Sequence, residues 1–241
     1  FAEGRLNGYQ SYRAHVWSDT DPDRTGVPKF IFNKDFGFAD YANYALDVPM
    51  YFVYRDGIYH DVSGLSFRDF MAGKLKGFEG QLPTQKDWED HLTTLFPEVR
   101  LKSYLEMRGA DSGPWSRLCA LPALFVGMLY DEASLKACLD IIKDWDYEDI
   151  EGLRRSVPML GLDAKIAGRR AQDIAKEVLE ISRAGLNARA QLNAAGDNET
   201  GFLSELDEIA TSGKTTAQKL IEKFKNEWGR DINRVYEECA Y

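Results

Sequence analysis

Residues 99–114 read Val99-Arg100-Leu101-Lys102-Ser103-Tyr104-Leu105-Glu106-Met107-Arg108-Gly109-Ala110-Asp111-Ser112-Gly113-Pro114. Val99, Leu101, Leu105 and Met107 alternate with Arg100, Lys102, Tyr104, Glu106 and Arg108, the period-two pattern of a strand with one buried face. Glu106 and Arg108 are expected on the same side of that strand, roughly 6.6 Å apart at ~3.3 Å per residue. A carboxylate holds a divalent cation, and a guanidinium two residues on grips phosphate oxygens bidentately, so the pair suits phosphoryl chemistry. A solvated strand face explains the alternation equally well, and residue pattern alone leaves both readings open.

Upstream, Val48 to Arg55 and Ile58 to Val62 are strand-like runs flanking Asp56-Gly57, the dipeptide of a two-residue type I′ hairpin. Tyr51 lies within the first run, where a strand aromatic is the ordinary reading. Phe38, Tyr41, Ala42, Tyr44 and Ala45 have helical spacing, so a helix is expected between Asp35 and Leu46, ending before Pro49. Ser66 opens a second helix. Thr84 with Asp87 forms a capping-box pattern ahead of a third, with Trp88, Leu92 and Leu95 as its apolar stripe. Gly4 to Gly26 reads as loop-rich, with one short strand around Ser11 to Trp17. Arg13 sits there among aromatics, where a guanidinium stacks and still forks onto a carboxylate.

Downstream the pattern turns helical. Trp115 to Tyr130 is nearly continuously apolar and is expected to be buried on most sides. Asp131 caps the next helix, 132–143, and a short one ends at Leu153-Arg154-Arg155 before Pro158. Ala171 to Leu192 is expected to pack through Ile174, Val178, Ile181, Gly185, Ala188 and Leu192, stopping near Gly196. Leu203, Leu206 and Ala210 mark a helix ending at Gly213. Thr215 with Gln218 caps another, packed through Leu220, Phe224 and Trp228.

The composition supports a globular chain: 241 residues, 44% hydrophobic and 12% aromatic, enough for a real core. The net charge of −9 argues against a nucleic-acid surface. The longest apolar run, 118–130, contains Pro122 and is too short to span a bilayer, and no stretch reads as a signal peptide. Cys119, Cys138 and Cys239 have neither metal-ligand spacing nor an even count, so a reducing cytoplasm is the expected compartment. His15, His60 and His91 are far apart and read as surface or structural groups.

The segment 101–111, continuing through Gly113-Pro114-Trp115 and Arg117-Leu118-Cys119-Ala120-Leu121-Pro122-Ala123, resembles the plant and proteobacterial type of glutamate–cysteine ligase. Three more blocks resemble the same family in order: Ser11-Tyr12-Arg13 through Trp17 to Asp19-Thr20-Asp21 with Arg24-Thr25-Gly26, then Tyr44 to Tyr51, then Ser66-Phe67-Arg68-Asp69-Phe70-Met71-Ala72-Gly73-Lys74-Leu75. Members of that family carry a further N-terminal half, so the resemblance implies that this chain is roughly a C-terminal half that relies on the other half for turnover. It implies ATP-dependent joining of the glutamate γ-carboxylate to the cysteine amine through a γ-glutamyl phosphate, the first step of glutathione synthesis, with Mg²⁺ bridging the phosphates.

By the same resemblance Arg13 holds glutamate, Tyr51 lines the cysteine pocket, Glu106 is a metal ligand and Arg108 holds the transferring phosphoryl group. Plant members have a regulatory disulfide at positions that look like Val62 and Gly77 here, so that switch is expected to be absent. Cys119 looks like a cysteine that in plants pairs with the other half. The expected fold is α+β, a glutamine-synthetase-like sheet curved into a funnel. Residues 1–114 supply strands and short helices and 115–241 a helical layer, as one continuous unit. A related carboxylate–amine ligase with another amine, or a non-catalytic scaffold for the missing half, remain the alternatives.

Overall fold

A computed structural model describes residues 1–240 and is mixed helix and strand, in keeping with an α+β chain. It divides into two compact units, one of residues 17–109 and the other of 1–16 with 110–241. All strands among the described residues pair two by two.

In the 17–109 unit, the hairpin Phe52–Arg55/Ile58–Asp61 forms at the expected place. Asp56 and Gly57 have φ of 51° and 82°, the two left-handed residues that a type I′ turn requires. The first strand starts later than expected, at Phe52, because the 48–51 stretch bonds to the turn after the hairpin: the Met50 amide donates to the Leu65 carbonyl at 2.8 Å and the Gly64 amide to the Met50 carbonyl at 3.0 Å. Beneath the hairpin, Met50, Val53, Val62, Phe67, Phe70 and Leu75 make a closed core, flanked by Trp88 and Phe78. Burying each of these large side chains is worth about 1.5–3 kcal/mol.

The helices Phe38–Asp47, Phe67–Met71 and Gln85–Thr93 occupy the expected segments. Thr84 and Asp87 make the reciprocal capping box, and Asp87 also takes both amino groups of Arg55. One buried carboxylate thus ties the hairpin to the helix start. His91 is buried with Nε2 2.8 Å from the Ala45 carbonyl, a structural role as expected.

The decisive stretch is not one strand. Val99–Leu101 and Leu105–Met107 are two arms of an antiparallel hairpin with Arg100 directly opposite Glu106. Odd residues pair with odd and even with even, so the alternation survives the fold-back, and Lys102-Ser103-Tyr104 carries no Gly, Pro, Asn or Asp to mark the turn. The face expected to be buried is open as well: Val99 is 45% and Leu105 57% exposed. With Phe30, Ile31, Phe38 and Tyr41 they line a groove of about 830 Å³. Thr25–Gly26, unforeseen as a strand, pairs in parallel with Phe96–Pro97 and anchors this hairpin's base.

In the other unit, helices Trp115–Leu129, Glu132–Ile142, Ala171–Arg189, Ser204–Ser212 and Thr216–Asn226 follow the expected order, with Asp131 and Thr215 as caps. Three details differ. Trp115–Leu129 buries only Ala120, Ala123 and Gly127, while Trp115 and Leu118 stay exposed. Its partner Ala171–Arg189 buries Leu179, Ser182, Gly185 and Leu186, so that of the stripe read from the sequence only Gly185 is fully buried. Both follow from backbone contact: a Cβ on Gly185 would overlap the Gly127 carbonyl, and one on Gly127 would overlap Ser182. Small residues, not large ones, therefore define the shared face.

Third, Tyr147–Leu160 runs through Pro158, whose carbonyl accepts the Gln10 and Ser11 amides at 2.7 and 3.1 Å before Gly161 (φ 56°) ends the helix. Tyr12–Trp17 is a helix and not a strand, because Ser11 Oγ accepts the Ala14 amide and supplies an N-terminal cap. Among the described residues no single helix is long and apolar enough to cross a membrane.

Candidate active site

The hairpin 99–107 sets Glu106 between two guanidiniums. Arg100 Nε donates to Glu106 Oε2 at 2.7 Å and Arg108 donates to the same oxygen at 3.0 Å. Arg100 is fixed from behind by the carbonyls of Thr93 and Leu95, at 2.9 and 3.2 Å. Arg108 lies over the rings of Trp17 and Phe96, 5.5 and 5.4 Å from their centroids, which orients a planar cation without discharging it. Donation from Arg100 and then from Arg108 holds the Glu106 carboxyl below the usual carboxylate range. Glu106 is therefore anionic at neutral pH, and neither bond falls on Oε1.

The structure thus brings Glu106 and Arg108 together, as their spacing foretold, and adds Arg100. The sequence showed Arg100 only as one more cation on the strand; its place opposite Glu106 depends on the turn. Tyr51 sits at the mouth of the other hairpin of the same unit, its hydroxyl bonded to Asp21 and its ring stacked on Arg24. Asp21 and Arg24 fall in a block in which the sequence reading gave a task to Arg13 alone. Arg13 lies in the 1–16 segment of the other unit, on the helix whose Tyr12 and His15 rings cluster with Tyr9.

As a cation site the chain offers little by itself. Among the described residues no group of three or more His, Cys, Asp or Glu could hold a metal ion. Glu106, anionic and partly exposed, fits as one ligand of a hard cation whose other ligands come from elsewhere.

The family model for glutamate–cysteine ligase family 2 matches residues 1–238. The chain belongs to that family. It is 52% identical over all 241 residues to the chloroplastic glutamate–cysteine ligase A of Oryza sativa subsp. indica, covering 48% of that protein. It is 52% identical to the chloroplastic enzyme of Nicotiana tabacum and 51% to that of Arabidopsis thaliana, again over the whole chain and 45% of each relative. The chain spans about half the length of the curated relatives it matches. These ligases are chloroplastic, which overturns the cytoplasm expected from cysteine usage. Scattered thiols separate reducing from oxidising compartments but do not tell two reducing ones apart.

Proposed function

We propose that this chain forms half of a glutamate–cysteine ligase, in which ATP phosphorylates the glutamate γ-carboxylate and the cysteine amine then displaces phosphate from the γ-glutamyl phosphate. The observation that carries the reading is the Arg100–Glu106–Arg108 arrangement on one hairpin face. Arg108, placed over the rings of Trp17 and Phe96 and bonded to Glu106, sets a planar guanidinium on the polar face of the hairpin, the group that suits phosphoryl oxygens as their charge shifts. Glu106 contributes one anionic ligand to Mg²⁺, and the remaining ligands come from the part of the family's length outside this chain. When bound, Mg²⁺ neutralises the phosphate oxygens during transfer. Arg13 holds a carboxylate of glutamate, and Tyr51 forms a wall of the cysteine pocket. The two-stranded ladders of this chain belong, in this reading, to a larger glutamine-synthetase-like funnel.

The test is kinetic, in the full-length ligase. Arg108→Met should lower kcat by about 10² while changing the glutamate KM little, because its bond strengthens in the transition state. Glu106→Gln should lower activity and raise the Mg²⁺ concentration needed for half-maximal rate. Turnover at the parent rate in either variant removes that residue from the site.

A further inference from the structure

Arg24 is buried, 2% exposed, at the base of the Tyr51 hairpin. Its Nε donates to Asp21 Oδ2 at 2.8 Å, one amino group to the Thr94 carbonyl and hydroxyl at 3.3 and 3.2 Å, and the other to the Pro49 carbonyl at 2.9 Å. A buried guanidinium with this many fixed acceptors has one orientation. The Tyr51 ring lies on its face, 3.5 Å from Cζ to ring centroid, and the Tyr51 hydroxyl donates to Asp21 Oδ2. Asp21 is itself pinned: its Oδ1 accepts the Asp23 amide at 3.2 Å and its carbonyl accepts the Thr25 amide and hydroxyl at 3.0 and 2.6 Å.

A phenol has one proton to donate. With that proton committed to Asp21, the Tyr51 oxygen offers a ligand only lone pairs. Burial pushes the Asp21 carboxyl up, but the bond from Tyr51 and the Arg24 charge outweigh it and leave the group below the usual carboxylate range. Burial and the bond to Asp21 push the Tyr51 phenol up, so it keeps its proton.

We propose that Asp21 and Arg24 are positioning residues that clamp Tyr51 and make its oxygen an acceptor-only contact, selecting a substrate group that donates, the ammonium or thiol of the amine substrate. This rests on the reading of Tyr51 as part of the cysteine pocket. A clamp acts only through the group it holds, so Asp21 and Tyr51 should behave as one unit in a mutant cycle.

Steady-state kinetics of the full-length ligase decide it. Tyr51→Phe should raise the cysteine KM about tenfold, with the glutamate and ATP KM values within about twofold. Asp21→Ala should raise the cysteine KM by a similar factor, and the double variant should be no worse than Tyr51→Phe alone. Asp21→Asn keeps one acceptor oxygen but turns an amino group on either the Asp23 amide or the Arg24 and Tyr51 donors, so it should give a cysteine KM between the parent and Tyr51→Phe. It takes the alanine variant's place in the cycle if that one fails to fold, and a parental cysteine KM in it then overturns the clamp. Additive effects of the two changes, or an Asp21→Ala effect spread equally over all three substrates, overturn the clamp and leave the Tyr51 pocket standing. A parental cysteine KM in Tyr51→Phe removes Tyr51 from the pocket, and the clamp's role with it.

Discussion

Two hairpins of the 17–109 unit have arms of similar length and opposite character. The one at 52–61 closes over a core, with Val53 2% exposed above Phe67 and Phe70. The one at 99–107 keeps its apolar side open and spends its polar side on an Arg–Glu–Arg contact. The first is held by what it buries, and the second by its turn and by the Thr25–Gly26 pairing at its base, while backbone acceptors behind Arg100 orient that side chain. Burial fixes a scaffold, whereas charges held at a surface stay available to a ligand.

That contrast breaks first at the core. Phe70→Ala should cost about 3–5 kcal/mol of stability, read by chemical denaturation of the full-length protein, because a fully buried ring leaves a cavity that its neighbours fill only in part. A loss under about 1 kcal/mol would mean that the 52–61 hairpin does not depend on this cluster. Next comes its turn. Gly57→Val forces a branched residue to φ near 82° and should destabilise by about 1–2 kcal/mol, with no change in substrate KM.

The other hairpin should respond in chemistry and not in stability. Glu106 is depressed by Arg100 first, so Arg100→Gln should move its titration up toward ordinary glutamate. A group whose folded value is lowered acts above that value and is lost as pH falls through it. The acid limb of the pH–rate profile should therefore shift to higher pH, while the thermal midpoint moves little; an unshifted limb detaches Arg100 from the site. The smallest effect belongs to Leu105→Ala, which should stay within about half a kcal/mol, as befits a side chain already largely in solvent.

How much of this was legible differs between the same two hairpins. Asp56-Gly57 announced the first, because only a few residue pairs tolerate two left-handed conformations in succession. Lys102-Ser103-Tyr104 announced nothing, and the conserved parity of the pairing hid the fold-back inside an unbroken alternation. The Glu106–Arg108 spacing came through because both residues stay on one arm. Arg100, Asp21 and Arg24 did not, since each matters through a partner brought to it by tertiary structure. In the helical unit, hydrophobic periodicity located the helices but only part of their contact face: Gly185 was in the expected stripe, whereas Gly127 and Ser182 score as interruptions although they lie at the contact.

That last contact has a mechanical consequence. Helices separated by long side chains absorb small displacements by changing rotamers. Where the Gly127 carbonyl meets Gly185 and Ser182, no torsion lies between the two backbones, and Ser182 Oγ adds a bond to the Leu124 carbonyl at 3.0 Å. At that crossing Trp115–Leu129 and Ala171–Arg189 meet backbone to backbone, so a shift of one helix there has no rotamer to take it up and must move the other.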